Sequence, residues 1–419
     1  MEHPHEEQGN ALRARAEAII GRGQDTFTPT RAVITEARGT RLTTVDGRQL
    51  IDFAAGVLVA NLGHAHPLFE ERLAHYRAQL PRTAYNMLTP LLVEASERLA
   101  ASLGIPAAQR VLWAASGSEA IQKAMWCAIH RRPKRHILLA TRGGFHGKKG
   151  LAGDVSGETS PNPNVHFLTF PHDATTTPSD IEQELDTITR MHPDQVALLI
   201  TEPYLGAAGS FHPPAWYHQL LAHWCTEHDV PLIFDEVQAC HGRTGHMYAF
   251  QAYGVSPDLV VLGKGLGNGV PAAAVVGPAG LIDTLDYGEA SDTFSANPEA
   301  CAAVCAVLDV FEAENVLQQC RAAAEKVRTG LDALLEKFPF INAVRGEGLV
   351  YGVEMTDADT ANRCVREAYY GADGLGVHFL GPLANKVLRV SPPLVIDNTE
   401  IDRAFNILDK AWERVGKGR

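Results

Sequence analysis

Lys264 stands in the run Gly263-Lys264-Gly265-Leu266-Gly267-Asn268-Gly269, where flanking glycines give access to a primary amine. Such an amine, when neutral, can attack a carbonyl carbon and afterwards carry a proton. Three other short apolar runs end on groups of complementary chemistry. HILLA leads into Gly143-Gly144-Phe145-His146-Gly147, ALLIT ends at Glu202-Pro203, and LIF ends at Asp235-Glu236. If these runs are neighbouring strands of a parallel sheet, their carboxyl ends bring an aromatic ring, two acids and a lysine to one rim, where ligands of such sheets sit. Ser116-Gly117-Ser118-Glu119-Ala120 follows a further strand-like run and opens a helix. Free N–H groups, a hydroxyl and the helix dipole favour a phosphate there, although the same residues also make an ordinary helix cap. A phosphate site, a strand-end acid and a glycine-flanked lysine together suggest pyridoxal phosphate, a cofactor that takes a lysine amine and an acid on its ring nitrogen. Nucleotide readings of the glycine run are weak. No G-K-[ST] closes it, and Val270 stands where the last glycine of G-x-G-x-x-G would fall.

The elements that must hold these groups follow from hydropathy patterning. Residues 10–22 read as an amphipathic helix, and 31–53 as short strands around an Asp46-Gly47 turn. From about residue 88 helices alternate with short apolar strands: helix 90–103, strand 110–115, helix 119–130, then strands 136–140, 165–168, 196–200, 232–234 and 259–262. That alternation predicts an α/β fold with a mostly parallel sheet covered by helices on both faces. After Asn297-Pro298 the chain reads as helical for over 35 residues, then returns to strand-like pieces at 344–354 and 387–390 and a last helix at 399–414. The expected organisation is an N-terminal segment 1–55, a large domain 56–297, and a C-terminal piece 298–419. The two ends together build a smaller α+β domain.

Composition excludes several classes. The chain has 419 residues, 37 Lys+Arg against 49 Asp+Glu, and a net charge of −12, which argues against a phosphate-backbone binder. Nucleic acid is therefore not an expected partner. The first ten residues are acidic without an apolar stretch, and no apolar run approaches the ~18 residues of a membrane helix. Seven scattered cysteines without C-x-x-C fit a reducing cytoplasm, with Cys301 and Cys305 as small buried thiols of a helix. The pairs His64/His66 and His241/His246 lack a carboxylate or thiolate at ligand spacing, so no metal site is expected.

The motifs LIFDEVQACHGRTG, PDLVVLGKGLGNGVPAAAVVG, SGSEA, FHG, SDTFSANP, RGEGLVYGVE and LRVSPPL run in order from about residue 39 to 396. In this set the chain resembles the class III (omega-type) aminotransferases, which are pyridoxal-phosphate enzymes of fold type I. The resemblance implies that Lys264 forms the internal aldimine and that Asp235, 29 residues earlier, pairs with the ring nitrogen. It further implies that Phe145 and Val237 cover the two ring faces, that Gln238 reaches the phenolic oxygen, and that Gly117 and Ser118 hold the phosphate. Thr293 joins them from the neighbouring subunit, so the family pattern is a homodimer with shared sites. Arg389, in LRVSPPL, matches the arginine that grips a substrate carboxylate, with Lys148 and Glu202 on the same substrate side. Other readings are a core aromatic for Phe145, a turn hydroxyl for Thr293 and a structural ion pair for Arg389. Arg243 is expected to hold its own loop.

Two positions depart from the family text. Members that alternate between glutamate and a terminal amine read EPxxGExG, with Arg after FHG; here Ala207 and Lys148 stand at those places. Alanine cannot neutralise Arg389, and lysine offers a point charge in place of a planar fork. Both changes count against a standard ornithine, acetylornithine or 4-aminobutyrate enzyme. The expected activity is transfer of an amino group from a primary amine or amino acid to a 2-oxo acid, with pyruvate or 2-oxoglutarate as acceptor. A racemase, epimerase or aminomutase on the same scaffold would use the same Lys264 and Asp235 without exporting nitrogen. A cofactor-bearing protein without turnover is disfavoured because lysine and acid are both intact.

Overall fold

The computed structural model describes residues 2–24, 28–78, 80–173 and 175–417. Its contacts divide the chain into two compact units, 67–315 and 1–66 with 316–419. The divisions fall at 66/67 and 315/316, where hydropathy alone suggested 55/56 and 297/298. The helix Pro298–Ala313 packs on Pro67–Arg77 and Pro90–Ser102, which ties residues 298–315 to the larger unit.

In the larger unit a seven-stranded sheet is built from β1 (Arg110–Ala114), β2 (Ile137–Thr141), β3 (Val165–Leu168), β4 (Val196–Thr201), β5 (Leu232–Asp235), β6 (Leu259–Leu262) and β7 (Ala273–Gly277). The spatial order is β1-β7-β6-β5-β4-β2-β3. Strands β6, β5, β4, β2 and β3 pair in parallel, while β7 runs antiparallel to both β6 and β1. Six of the seven strands were legible as apolar runs, most with helices between them, because a parallel sheet covered on both faces has no polar side to alternate with. β2, β4, β5, β6 and β7 are buried along their whole length. The strand that hydropathy did not announce is β7, whose text AAVVG is short and has alanine at two of its five positions.

Helix α1 (Pro67–Arg77), α2 (Pro90–Ser102), α3 (Gly117–Arg131), α4 (Pro178–Met191), α5 (Ala215–Glu227) and α6 (Pro298–Ala313) complete this unit's longer elements. Thr89, Ser116 and Asn297 cap α2, α3 and α6 with side-chain oxygens, and Pro at the first position of α2 and α6 suits an N-terminal turn. The helical stretch expected to run unbroken beyond residue 298 ends at Ala313. Asn315 adopts φ 52°, a left-handed conformation that asparagine tolerates, and a second helix starts at Val316.

The smaller unit holds two four-stranded sheets. In one, Ile34–Arg38, Arg41–Thr44 and Gln49–Asp52 form antiparallel neighbours and Leu375–His378 joins in parallel. The Asp46-Gly47 turn lies between the second and third strands, with Gly47 at φ 82°. In the other, Ile341–Glu347, Val350–Met355, Val387–Val390 and Leu380–Leu383 are antiparallel. Helices Ala358–Tyr370 and Asn398–Gly416 each bury one stripe, including Cys364, Val365 and Ala368 on the first and Ile401, Leu408 and Trp412 on the second.

Candidate active site

The strand order puts the carboxyl ends of β2, β4, β5 and β6 side by side. From these ends the chain delivers Phe145, Glu202, Asp235 and Lys264 in turn, the juxtaposition expected of a parallel sheet.

Asp235 closes β5 and is buried. Its Oδ1 accepts the N–H of Val237 at 3.0 Å, and its Oδ2 lies 2.8 Å from Nδ1 of His146, whose side chain is fully buried. A carboxylate only accepts, so Nδ1 is the donor in that pair. His146 Nε2 and Gln238 Oε1 are buried polar atoms without a partner among the described residues. At the sheet rim these two atoms are open to bonds from a further molecule. His146 stood in the FHG motif with no role assigned. Its bond to Asp235 spans 89 residues, and no local pattern reveals it.

Val237 lies between two glycines. A Cβ on Gly117 would come within 3.0 Å of Val237 Cγ1, and one on Gly263 within 3.2 Å. Ser116 Oγ accepts the N–H of Glu119, and the Glu119 carboxylate accepts the N–H of Ala115, which fixes the first turn of α3. The early N–H groups of a helix have no intrahelical acceptor, so those of Gly117 and Ser118 are available to an anion. Gly147 leaves room for Ser118, since a Cβ there would lie 2.6 Å from the Ser118 hydroxyl. Lys264 is half-buried and has φ 44°, a strained conformation for lysine of the kind that clusters at functional sites.

Glu202 and Glu236 turn out to be holders of backbone. Glu202 Oε1 accepts the N–H of Phe145 at 2.9 Å and Oε2 that of Gly206 at 3.3 Å, and burial pushes its carboxyl up to about 7. It was expected on the substrate side, yet both its oxygens are engaged with the loops that carry Phe145 and Gly206. Glu236 accepts the N–H groups of Ala249 and Phe250 at 3.0 and 2.7 Å, and burial pushes it to about 8. Phe145 is 43 % exposed. It shares the wall of a cavity of about 750 Å³ with Ser118, Lys123, Lys148 and Asp292. Thr293 is exposed beside that wall. Arg389 belongs to the smaller unit, buried on Val387–Val390 opposite Gly352 and Leu380. His64 is held by Asp52 at 2.8 Å, and His241 packs against the rings of Tyr248 and Phe311.

The donor set suits pyridoxal phosphate. Among its parts are a helix N-terminus suited to a phosphate, a buried carboxylate bonded to a histidine and suited to a ring nitrogen, and Gln238, whose Oε1 has no partner among the described residues. Comparison with known proteins decides the family. Residues 23–412 match the family model described as aminotransferase class-III.

The chain belongs to the class III aminotransferases.

It is 32 % identical over 392 residues to the acetylornithine aminotransferase of Vibrio vulnificus, covering 92 % of this chain and 94 % of that protein. It is 31 % identical to the 4-aminobutyrate aminotransferase of Escherichia coli K12, covering 90 % and 92 % respectively. Among solved structures, the ornithine aminotransferase of Toxoplasma gondii superposes with TM-score 0.85 at 26 % identity over the full length of both chains. A pyridoxal-phosphate-bound amine transaminase from an uncultivated Pseudomonas species superposes with TM-score 0.82 at 26 % identity, covering 94 % of this chain and 98 % of that one. This class III aminotransferase has the fold of type I pyridoxal-phosphate enzymes. It uses pyridoxal phosphate to move an amino group from an amine or amino acid to a 2-oxo acid. The relatives' transaminations favour that reading over a racemase or aminomutase. No helix among the described residues is long and apolar enough to cross a membrane.

Proposed function

We propose that transfer runs through Lys264 as the proton-carrying amine, with Asp235 and His146 setting the charge of the cofactor ring. Pyridoxal phosphate, when bound, supplies an electron sink for the negative charge left on the substrate carbon once its proton is removed. Lys264 Nζ would take that proton from the amine-bearing carbon and return it to the cofactor carbon across the shared nitrogen, so one group serves as base and then acid. Asp235 would hold a proton on the ring nitrogen, and His146 Nδ1–H keeps the carboxylate aimed. Phe145 and Val237 hold the ring between them, and Gln238 reaches the phenolic oxygen. Gly117 and Ser118 bind the phosphate together with the partner's Thr293. The observation that carries this reading is the buried Asp235–His146 pair at the sheet rim that also presents Lys264.

A homodimer is part of the same reading. Large apolar side chains stand exposed at Tyr85, Met87, Leu88, Val93 and Phe294, Leu88 at 86 % and Phe294 at 62 %, which supports a second copy as their cover. Seven buried free thiols support the reducing cytoplasm as the compartment. On the substrate side, Ala207 offers no carboxylate to cover an arginine. Arg389 is therefore read as gripping a substrate carboxylate in both halves of the cycle, with Lys148 as a second cation and pyruvate or 2-oxoglutarate as acceptor.

The test is a visible-absorbance titration of the loaded protein with a panel of amines and amino acids, each sample then challenged with pyruvate or 2-oxoglutarate. A donor should bleach the cofactor band, with one equivalent of oxo product per subunit, and a 2-oxo acid should restore it. Racemisation of an amino acid without consumption of 2-oxo acid would overturn the transfer reading. Sedimentation should give twice the mass of the 45.3 kDa chain; a monomer that remains fully active would remove the shared site.

A further inference from the structure

Lys123 is one of the buried charged side chains to which the reading above gives no role. Lys123 lies on α3 and is 5 % exposed. An ammonium out of water costs several kcal/mol unless its protons find acceptors. Lys123 Nζ finds three: the carbonyl of Trp113 at 2.6 Å, Asp292 Oδ2 at 2.7 Å and Ser295 Oγ at 3.3 Å. Trp113 belongs to β1, so this bond anchors the ammonium to the sheet. The other two acceptors belong to the segment just before α6. That segment is also closed on itself. Asp292 Oδ1 accepts the N–H groups of Phe294 at 3.1 Å and Ser295 at 2.7 Å, and the Ser295 hydroxyl donates to Asp292 Oδ2.

Between these two anchors Thr293 and Phe294 stand exposed. The cavity wall that contains Ser118 contains Lys123 and Asp292 as well. Helix α3 thus offers its first turn to a phosphate and, about a turn and a half further on, holds the segment that displays Thr293. Nothing in the helical pattern of the sequence announces this. A lone lysine in an amphipathic helix reads as a solvated position, and its partners lie 169 and 172 residues away.

We propose that Lys123 is a positioning residue for the cofactor phosphate. By pinning Asp292 and Ser295 it fixes the conformation in which Thr293 is presented to the partner's site. The inference rests on the reading of Thr293 as a phosphate ligand supplied across the dimer. Lys123 does not itself touch the phosphate. Its contribution is preorganisation: a segment held through the side chains of Asp292 and Ser295 needs less ordering when the cofactor binds.

The experiment is the dissociation constant of pyridoxal phosphate for the apo dimer, read by absorbance and fluorescence titration. It compares the unmodified protein with Lys123→Met, Ser295→Ala, Thr293→Ala and the Lys123→Met/Thr293→Ala pair. Lys123→Met should weaken binding about tenfold, the factor for re-ordering roughly one backbone residue. Ser295→Ala should shift it in the same direction, and it decides the matter if Lys123→Met does not fold. Because Lys123 acts through Thr293, adding Lys123→Met to Thr293→Ala should cost nothing further, whereas a general structural effect would add in full. Unchanged affinity in Lys123→Met and Ser295→Ala, beside a weakened Thr293→Ala, would overturn the proposal and leave the shared phosphate site standing. Unchanged affinity in Thr293→Ala would remove the shared site and this proposal together.

Discussion

Gly206→Ala is a methyl-sized probe of whether Gln238 holds the cofactor. Gly206 begins the short helix Gly206–Gly209, and its φ is not in the left-handed range, so alanine fits the backbone. A Cβ there would lie 2.0 Å from Gln238 Oε1, 2.6 Å from Cδ and 2.8 Å from Nε2. Ordinary contact begins at 3.4 Å, so the amide must swing away by a large part of its own width. The group that moves is the end of a flexible side chain with no partner for Oε1 among the described residues, so folding loses little. Alanine for glycine in a helical conformation even favours the folded state by roughly 0.5–1 kcal/mol. The cost falls on binding. A hydrogen bond to a charged oxygen is worth about 1.5–3 kcal/mol, so pyridoxal phosphate should bind roughly 10- to 150-fold more weakly. The assay is titration of apoenzyme with cofactor beside a thermal melt of the apoenzyme. The expected signature is an unchanged or slightly raised melting temperature with a weakened cofactor. Equal affinity in a normally folded variant would refute the role of Gln238.

Two further outcomes follow from the same geometry. His146→Phe removes the buried donor to Asp235 Oδ2 and leaves the carboxylate only the Val237 N–H; kcat should fall roughly 10- to 150-fold, the worth of one charge-assisted bond. His146→Asn should recover part of the loss, and a kcat within a factor of two in His146→Phe would remove the pair from the mechanism. Stability should also depend on pH through the buried carboxyls. Burial raises Glu236 from 4.5 to about 8 and Glu202 from 4.5 to about 7, so between those limits the folded protein binds more protons than the unfolded chain. Their contribution is therefore complete below pH 4.5 and is lost as pH rises through 7 and 8. The stability difference between the native protein and Glu236→Gln, from urea midpoints at pH 5, 6.5 and 8, should shrink or change sign as pH rises. A constant difference would show that Glu236 does not titrate there.

Much of the fold was legible because a parallel sheet buried on both faces writes itself as apolar runs with helices between them, and because its ligands gather at strand ends. That reasoning alone brought Phe145, Asp235 and Lys264 to one rim and Gly117 and Ser118 to a helix start. What was not legible depends on contacts between distant residues. The Asp235–His146 bond, the engagement of Glu202 with two backbone N–H groups and the three acceptors around Lys123 appear only once the chain is folded. β7 was missed because alanine-rich text carries little strand signal, and the break at Asn315 because one left-handed residue leaves hydropathy unchanged. Arg389, expected on the substrate side, lies buried on Val387–Val390.

The central claim is that Lys264 is the amine joined to the cofactor. It is tested most directly by reducing the loaded protein with borohydride, which fixes the cofactor to whichever lysine holds it, and mapping the peptides by mass spectrometry. The account predicts one modified peptide, containing Lys264, and no modification of that region in Lys264→Ala. Modification at Lys123, Lys148 or Lys149 with Lys264 untouched would contradict it.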